Sequence, residues 1–175
     1  MNLHSEAFFA IPTTERTSGF NAAVSEIRSR DDEVDLPEVP AQQGVCDPGI
    51  TVCLPCDGTD IADTSLIPRV LQSISEQTCL PSKVILAVSG ISSEGSAELM
   101  GSLPDYKELF PLEINATEER QHAGLNRNRC ARAADTEVVS FFDVDDFMHP
   151  RRLELLSFAF GNFHPKAVVH AYEAS

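Results

Sequence analysis

Three carboxylates stand within four residues at Asp143, Asp145 and Asp146, directly behind the apolar run Val138 to Phe142 and ahead of Pro150. Acids this close repel one another, and a hydrophobic strand leading into them lowers the local dielectric. Their ionised forms are therefore costly unless a cation is near. A hard divalent ion such as Mg2+ or Mn2+ takes carboxylate oxygens and keeps positions open for phosphate or water. If the chain stays extended past the strand, Asp143 and Asp145 share one side while Val144 turns away into packing. Asp143, Asp145 and Asp146 are therefore candidate metal ligands. The alternative is a solvated acidic turn in which Asp146 caps the next helix.

A second charged feature precedes that strand. The stretch HAGLNRNRCARAAD, residues 122–135, carries Arg127, Arg129 and Arg132 on an expected helix, in a chain where cations are otherwise scarce. A diphosphate held by a metal needs further positive charge, and a guanidinium fork suits phosphate oxygens. Arg127 or Arg129 is a candidate for that contact and Arg132 for a structural ion pair; a solvated helix face with salt bridges is the alternative. His122 and His149 flank the two features, and each suits ordinary hydrogen bonding better than metal ligation.

These side chains must be positioned by regular elements. From residue 49 onward, apolar runs at Ile50–Leu54, Val84–Val88, Leu112–Ile114, Val138–Phe142 and Ala167–His170 alternate with helix-period segments. The helical candidates are TSLIPRVLQSISEQ, with Leu66, Val70 and Ile74 on one stripe, SSEGSAELMGSL, GLNRNRCARAAD, and a helix opened by Pro150 through RRLELLSFAF. Pro68 is expected in a first helical turn, where its missing N–H costs little. Strict alternation predicts an α/β domain: a mostly parallel, Rossmann-like sheet with helices on both faces and right-handed crossovers. Ligands then bind beyond the carboxyl ends of the strands, where Asp143 falls.

The first 48 residues have a different texture. SRDDEVDLPEVPAQQGVCDPG is acidic and proline-bearing without a sustained period, which predicts a partly disordered leader over 1–48 ahead of a domain over 49–175; SGFNAAVSEIRSR is a short helix candidate. Lys plus Arg total 13 against 27 for Asp plus Glu, a formal charge of -14, which argues against nucleic acid as a partner. No run approaches the roughly 18 apolar residues of a membrane span, and residues 1–20 lack a secretory pattern, so a cytoplasmic location is expected. Five cysteines, at 46, 53, 56, 79 and 130, are then expected as free thiols, with the CxxC pair Cys53 and Cys56 serving packing.

Taken in order, ITVCLPCDG, LIPRVLQSISEQTCLPSKVILAVSG and HAGLNRNRCARAADTEVVSFFDVDDFMHPRRLELL resemble the nucleotide-binding half of the family 2 glycosyltransferases with the GT-A fold. That family has a first strand ending in Pro, a helix ending SI..QT..P, a second strand, an RN.G...A helix and FLDADD...P..L. Residues 49 to about 158 are covered, and Arg127, Asn128, Ala134, Phe142, the DVDD set, Pro150 and Leu153 stand at the family's spacing. The resemblance implies a donor that is a nucleotide-diphosphate sugar, Mn2+ or Mg2+ as cofactor, and transfer to the hydroxyl of a glycan, lipid or protein acceptor. It implies that Asp143 and Asp145 serve ribose and metal with Asp146 close by. Arg127 would face the nucleotide or phosphates, and Pro55, Cys56 and Asp57 would border the base. The family's Asp pair after the second strand is replaced here by Val88-Ser89-Gly90, leaving Ser89 to hydrogen-bond a base. The acceptor half and its general base fall beyond the matched region, which implies a missing C-terminal domain, a partner chain or a binding module.

Two other readings fit VVSFFDVDD. A haloacid-dehalogenase-like phosphatase also places DxD after an apolar strand, with its first Asp as nucleophile, but continues Gly-Thr where this chain has Asp146-Phe147. A non-catalytic nucleotide-sugar or metal-binding module could use the same fold.

Overall fold

A computed structural model describes residues 7–10 and 44–171, so the helix expected within 18–30 and most of the proposed leader lie outside the described residues. Strands are β1 (Ala7–Ala10), β2 (Gly44–Val45), β3 (Ile50–Asp57), β4 (Cys79–Leu80), β5 (Lys83–Ser89), β6 (Leu112–Thr117), β7 (Val138–Phe141) and β8 (Val168–Ala171). Helices are α1 (Ile61–Ser75), α2 (Ser93–Ser102), α3 (Ala123–Ala133) and α4 (Arg152–Phe163). The central sheet has the order β6-β5-β3-β7 with every pairing parallel.

The two inner strands are apolar almost throughout because both of their faces are covered. On one face Ile50, Val52, Leu54, Val84, Leu86 and Val88 meet Ile67, Val70, Leu71 and Ile74 of α1 and Leu153 and Leu156 of α4. On the other, Cys53, Ile85 and Ala87 meet Cys130 of α3, with Ala133 and Ala134 closing over it. Small residues on α3 let that helix approach closely, and Cys130 Sγ reaches the Ile85 carbonyl at 3.4 Å. Because side chains alternate along a strand, Cys53 lies in the α3 cluster and Cys56 in the opposite one. The CxxC pair is split by the sheet and serves packing, as expected.

Four sequence expectations need correction. The first helix begins a turn earlier than its apolar stripe suggested, because Asp60 O accepts both Thr64 N (3.1 Å) and Thr64 Oγ1 (3.2 Å). Pro68 therefore sits inside α1, on its exposed side, and Ile67 and Leu71, not Leu66, join Val70 and Ile74 in the core. The strand into the acids stops at Phe141 instead of Phe142. The last apolar run does form a strand, but β8 pairs antiparallel with β1 as a separate ribbon and does not extend the parallel sheet. Finally, Cys46 and Cys79 are not free: they form a disulfide with Cα atoms 5.3 Å apart, beside the short β2–β4 pairing that brings them together. The even local pairing was hidden by the odd total of cysteines; Cys53, Cys56 and Cys130 are free and buried.

Candidate functional site

The chain passes from β3 outward through β5 to β6, then returns to place β7 on the other side of β3. That reversal makes a topological switch between β3 and β7, the position at which open α/β sheets accept ligands beyond their carboxyl ends. Asp57 ends β3, and the Asp143–Asp146 segment follows β7.

Pro55 determines where the two strands part. Phe142 N donates to Cys53 O at 3.0 Å, so the next β3 donor on that side would belong to residue 55, a proline without an N–H. The ladder ends there and the acid segment is released. Alternation continues past the strand, with Phe142 and Val144 in the core. However, residues 143–146 close into a turn, with Asp146 N donating to Asp143 O at 3.3 Å, instead of running on as extended chain. Val144 turns into packing as expected; Asp145 and Asp146 are exposed on the turn.

Arg127 reaches across from α3 and donates to both oxygens of Asp143, at 2.5 and 2.8 Å. Asp143 is thus partly neutralised and held toward α3. Burial first, then the charges of Asp145 and Asp143, push the Asp146 carboxyl above the usual carboxylate range, with Arg152 opposing. Arg152 is itself buried, its guanidinium 4.9 Å from the Phe142 ring centroid. The donor set at the turn is all carboxylate, which suits a hard divalent ion. Among the described residues no three His, Cys, Asp or Glu side chains converge into a ready cage. An ion that keeps several waters and takes one or two carboxylates plus substrate phosphates needs no such cage, so the residues present fit Mn2+ or Mg2+.

The β3–β5 side is built differently. Asp57 accepts from Thr59 N (3.0 Å) and Thr59 Oγ1 (2.7 Å) and from Arg120 Nε (2.7 Å). The Thr59 hydroxyl, followed by Arg120, holds its carboxyl below the usual range against the opposing effect of burial. Ser89 donates to the Gln121 carbonyl (3.1 Å) and accepts from Asn126 Nδ2 (3.1 Å), which also donates to Cys56 O (3.0 Å). Gly58 and Gly90 allow these strand-end loops to cross. Gly90 has φ +82°, and a Cβ on Gly58 would stand 2.9 Å from Ser89 O.

Arg129 is not available for a phosphate. It donates to Asn115 O (2.5 Å), Asn115 Oδ1 (2.6 Å) and Asn126 Oδ1 (3.0 Å), and burial draws its guanidinium below its ordinary range. A helix register was needed to see this, since Arg127 and Arg129 differ by two residues and so leave α3 in different directions. His149 Nδ1 accepts from Arg151 N at 3.2 Å, and His122 Nδ1 caps α3 by accepting from Leu125 N at 3.4 Å. Sequence reasoning missed Arg120, Gln121, Asn126 and Arg152; buried Asn126 and Arg152 carry polar groups into positions that only the fold makes interior.

The sequence profile described as Glycosyl transferase family 2 matches residues 62–174. No curated protein matches the chain. Among solved structures the chain is similar to S. aureus TarS 1–349 in complex with UDP, at 19% identity and TM-score 0.52, over 66% of this chain and 33% of that one. It is also similar to the mannosyltransferase PcManGT from Pyrobaculum calidifontis in complex with GDP-Man and Mn2+, at 19% identity and TM-score 0.50, over 83% of this chain and 41% of that one. The fold is thus the α/β, mostly parallel GT-A arrangement expected from the sequence, and the chain spans only 33% and 41% of the lengths of these two structures.

Proposed function

This chain belongs to glycosyl transferase family 2, and from that premise we propose that it binds a nucleotide-diphosphate sugar across the β3–β7 switch and passes the sugar to an acceptor hydroxyl. The observation that carries this reading is the convergence of Asp57 and the Asp143–Asp146 turn at adjacent strand ends, on the one edge where the fold reverses direction. Asp145 and Asp146, with Asp143 beside them, would hold a Mn2+ or Mg2+ ion, whose chemistry is Lewis-acid stabilisation of the leaving diphosphate. Arg127 orients Asp143 and brings positive charge toward the phosphates. Asp57, oriented by Thr59 and Arg120, borders the base, whereas Ser89, expected from the sequence to hydrogen-bond it, is fully buried with its hydroxyl spent on Gln121 and Asn126, and buried Pro55 lies beneath the site. The acceptor would be the hydroxyl of a glycan, lipid or protein.

A phosphatase reading requires Asp143 to attack phosphate as a nucleophile. Both of its oxygens accept from Arg127, which lowers their nucleophilicity and favours the transferase. Calorimetric titration with UDP and with GDP tests the proposal. At least one should bind about tenfold or more tightly in Mn2+ than in EDTA, and equal affinity in the two buffers would refute metal-assisted donor binding. Among the described residues no helix is long and apolar enough to cross a membrane. A cytoplasmic location remains our proposal, and the Cys46–Cys79 disulfide is the observation set against it, since such bonds form and persist in oxidising compartments; fractionation of the native host decides, recovery with the cytosolic proteins supporting the proposal and recovery outside them overturning it.

A further inference from the structure

Between the end of β7 and the start of α4 the chain has no ladder of its own, yet around Met148–Pro150 it is buried or half-buried and its backbone groups need partners. The C-terminal end of α1 and the residues just past it supply them. Ser73 Oγ accepts from Met148 N at 3.3 Å. Gln77 Nε2 donates to His149 O at 2.7 Å and to Ser73 O at 3.2 Å, while Gln77 Oε1 accepts from Leu153 N at 3.1 Å. Thr78 N donates to Pro150 O at 2.9 Å, and Thr78 Oγ1 donates to Glu154 Oε2 at 2.9 Å. Gln77 is 0% exposed.

A carboxamide at that depth is unfavourable unless both ends are bonded, and an apolar side chain of similar volume would fill the space without that cost. The Gln77 carboxamide holds backbone from both of its ends. The helix that it caps makes the same point. Arg151, at the N-cap of α4, provides no side-chain cap, so the Leu153 N–H of the first turn depends on an acceptor from outside, and Gln77 is that acceptor.

We propose that Gln77, assisted by Ser73 and Thr78, is a positioning residue that fixes the acid turn from its C-terminal side. Residues 148–153 are tied to α1, residue 142 is tied to β3, and the turn carrying Asp145 and Asp146 is suspended between the two anchors. This rests on the reading of that turn as the donor site. Loss of the clamp lets the carboxylates drift, and a displacement of about 1 Å can cost about a hundredfold in a positioned step.

The test uses the full chain with Gln77→Met, which keeps the side-chain volume and removes the hydrogen bonds of the amide, and with Ser73→Ala, which removes the acceptor for Met148 N together with the hydroxyl's own bond to Val70 O and stands in if Gln77→Met does not fold. In metal-free protein, amide exchange over 143–149 should quicken about tenfold while exchange in β3 and β5 is unchanged. Affinity for UDP or GDP in Mn2+ should fall about tenfold, with affinity in EDTA unchanged. Unaltered exchange over 143–149, or an equal loss of affinity with and without Mn2+, overturns the clamp. Wild-type protein that shows no Mn2+-dependent binding overturns the donor-site reading instead, and the exchange experiment still decides whether the clamp exists.

Discussion

On the β3–β5 side of the crevice, Asp57, Ser89, Asn126 and Arg129 bond to one another's loops and strands. On the β7 side, Asp145 and Asp146 face solvent on a turn that concentrates like charge. The first wall is complete without a ligand. Its polar atoms are oriented by Thr59, Gln121 and Arg120, so on the proposed reading a base meeting Asp57 finds a fixed partner and little ordering remains. On the proposed reading the second is completed by a cation, because partial burial and two neighbouring carboxylates already raise the cost of ionising Asp146. Under that proposal the contrast separates two tasks within one crevice, with specificity on the internally bonded wall and charge chemistry on a turn held from behind by the C-terminal end of α1.

The largest expected effect breaks the second wall alone. Asp145→Ala should cost about a hundredfold or more in Mn2+-dependent nucleotide affinity while leaving the unfolding midpoint in place, since its side chain is exposed; calorimetry beside a denaturant titration checks both. Asn126→Ala should do the reverse. It strips partners from Cys56 O, Ser89 Oγ and Arg129, so stability should fall by about 2 kcal/mol in urea titration.

Arg127→Ala probes the join between the walls. Affinity for a nucleoside diphosphate should drop about tenfold and affinity for the nucleoside much less, because the guanidinium acts through Asp143. The smallest effect is at Asp57. Its folded pKa is lowered, so the stability it contributes is present above its unfolded value near 3.9 and is lost as pH falls through the folded pKa. Asp57→Asn should therefore be less stable than wild type by about 0.5 kcal/mol at neutral pH, and the two should converge as pH falls through the lowered folded pKa of Asp57 in parallel thermal melts.

Much of this was legible in residues 50–163. Apolar runs suited to two-sided burial marked β3 and β5, and the proline before RRLELL marked α4, because one local pattern determined each outcome. The acids after β7 were legible as a group for the same reason. Side-chain direction was not. Whether Arg127 or Arg129 meets Asp143, and whether residues 143–146 extend or turn, depends on helix rotation and on where Pro55 ends a ladder, which are tertiary facts. Gln77 was visible only as part of QT..P. Its role emerged when α1 and α4 came together, since its partners lie 72 and 76 residues away in sequence. The Cys46–Cys79 bond was hidden because nothing local pairs those two among five cysteines.

Paramagnetic broadening by Mn2+ in the presence of UDP or GDP, read in an amide nitrogen–proton spectrum, locates the proposed donor site. Signals of Asp143–Asp146 and of Asp57–Thr59 should disappear first, while those near Lys83, Glu113 and Asp135, paired at the opposite end of the sheet, persist. Broadening centred on that opposite end, or spread evenly over the acidic surface, would contradict it.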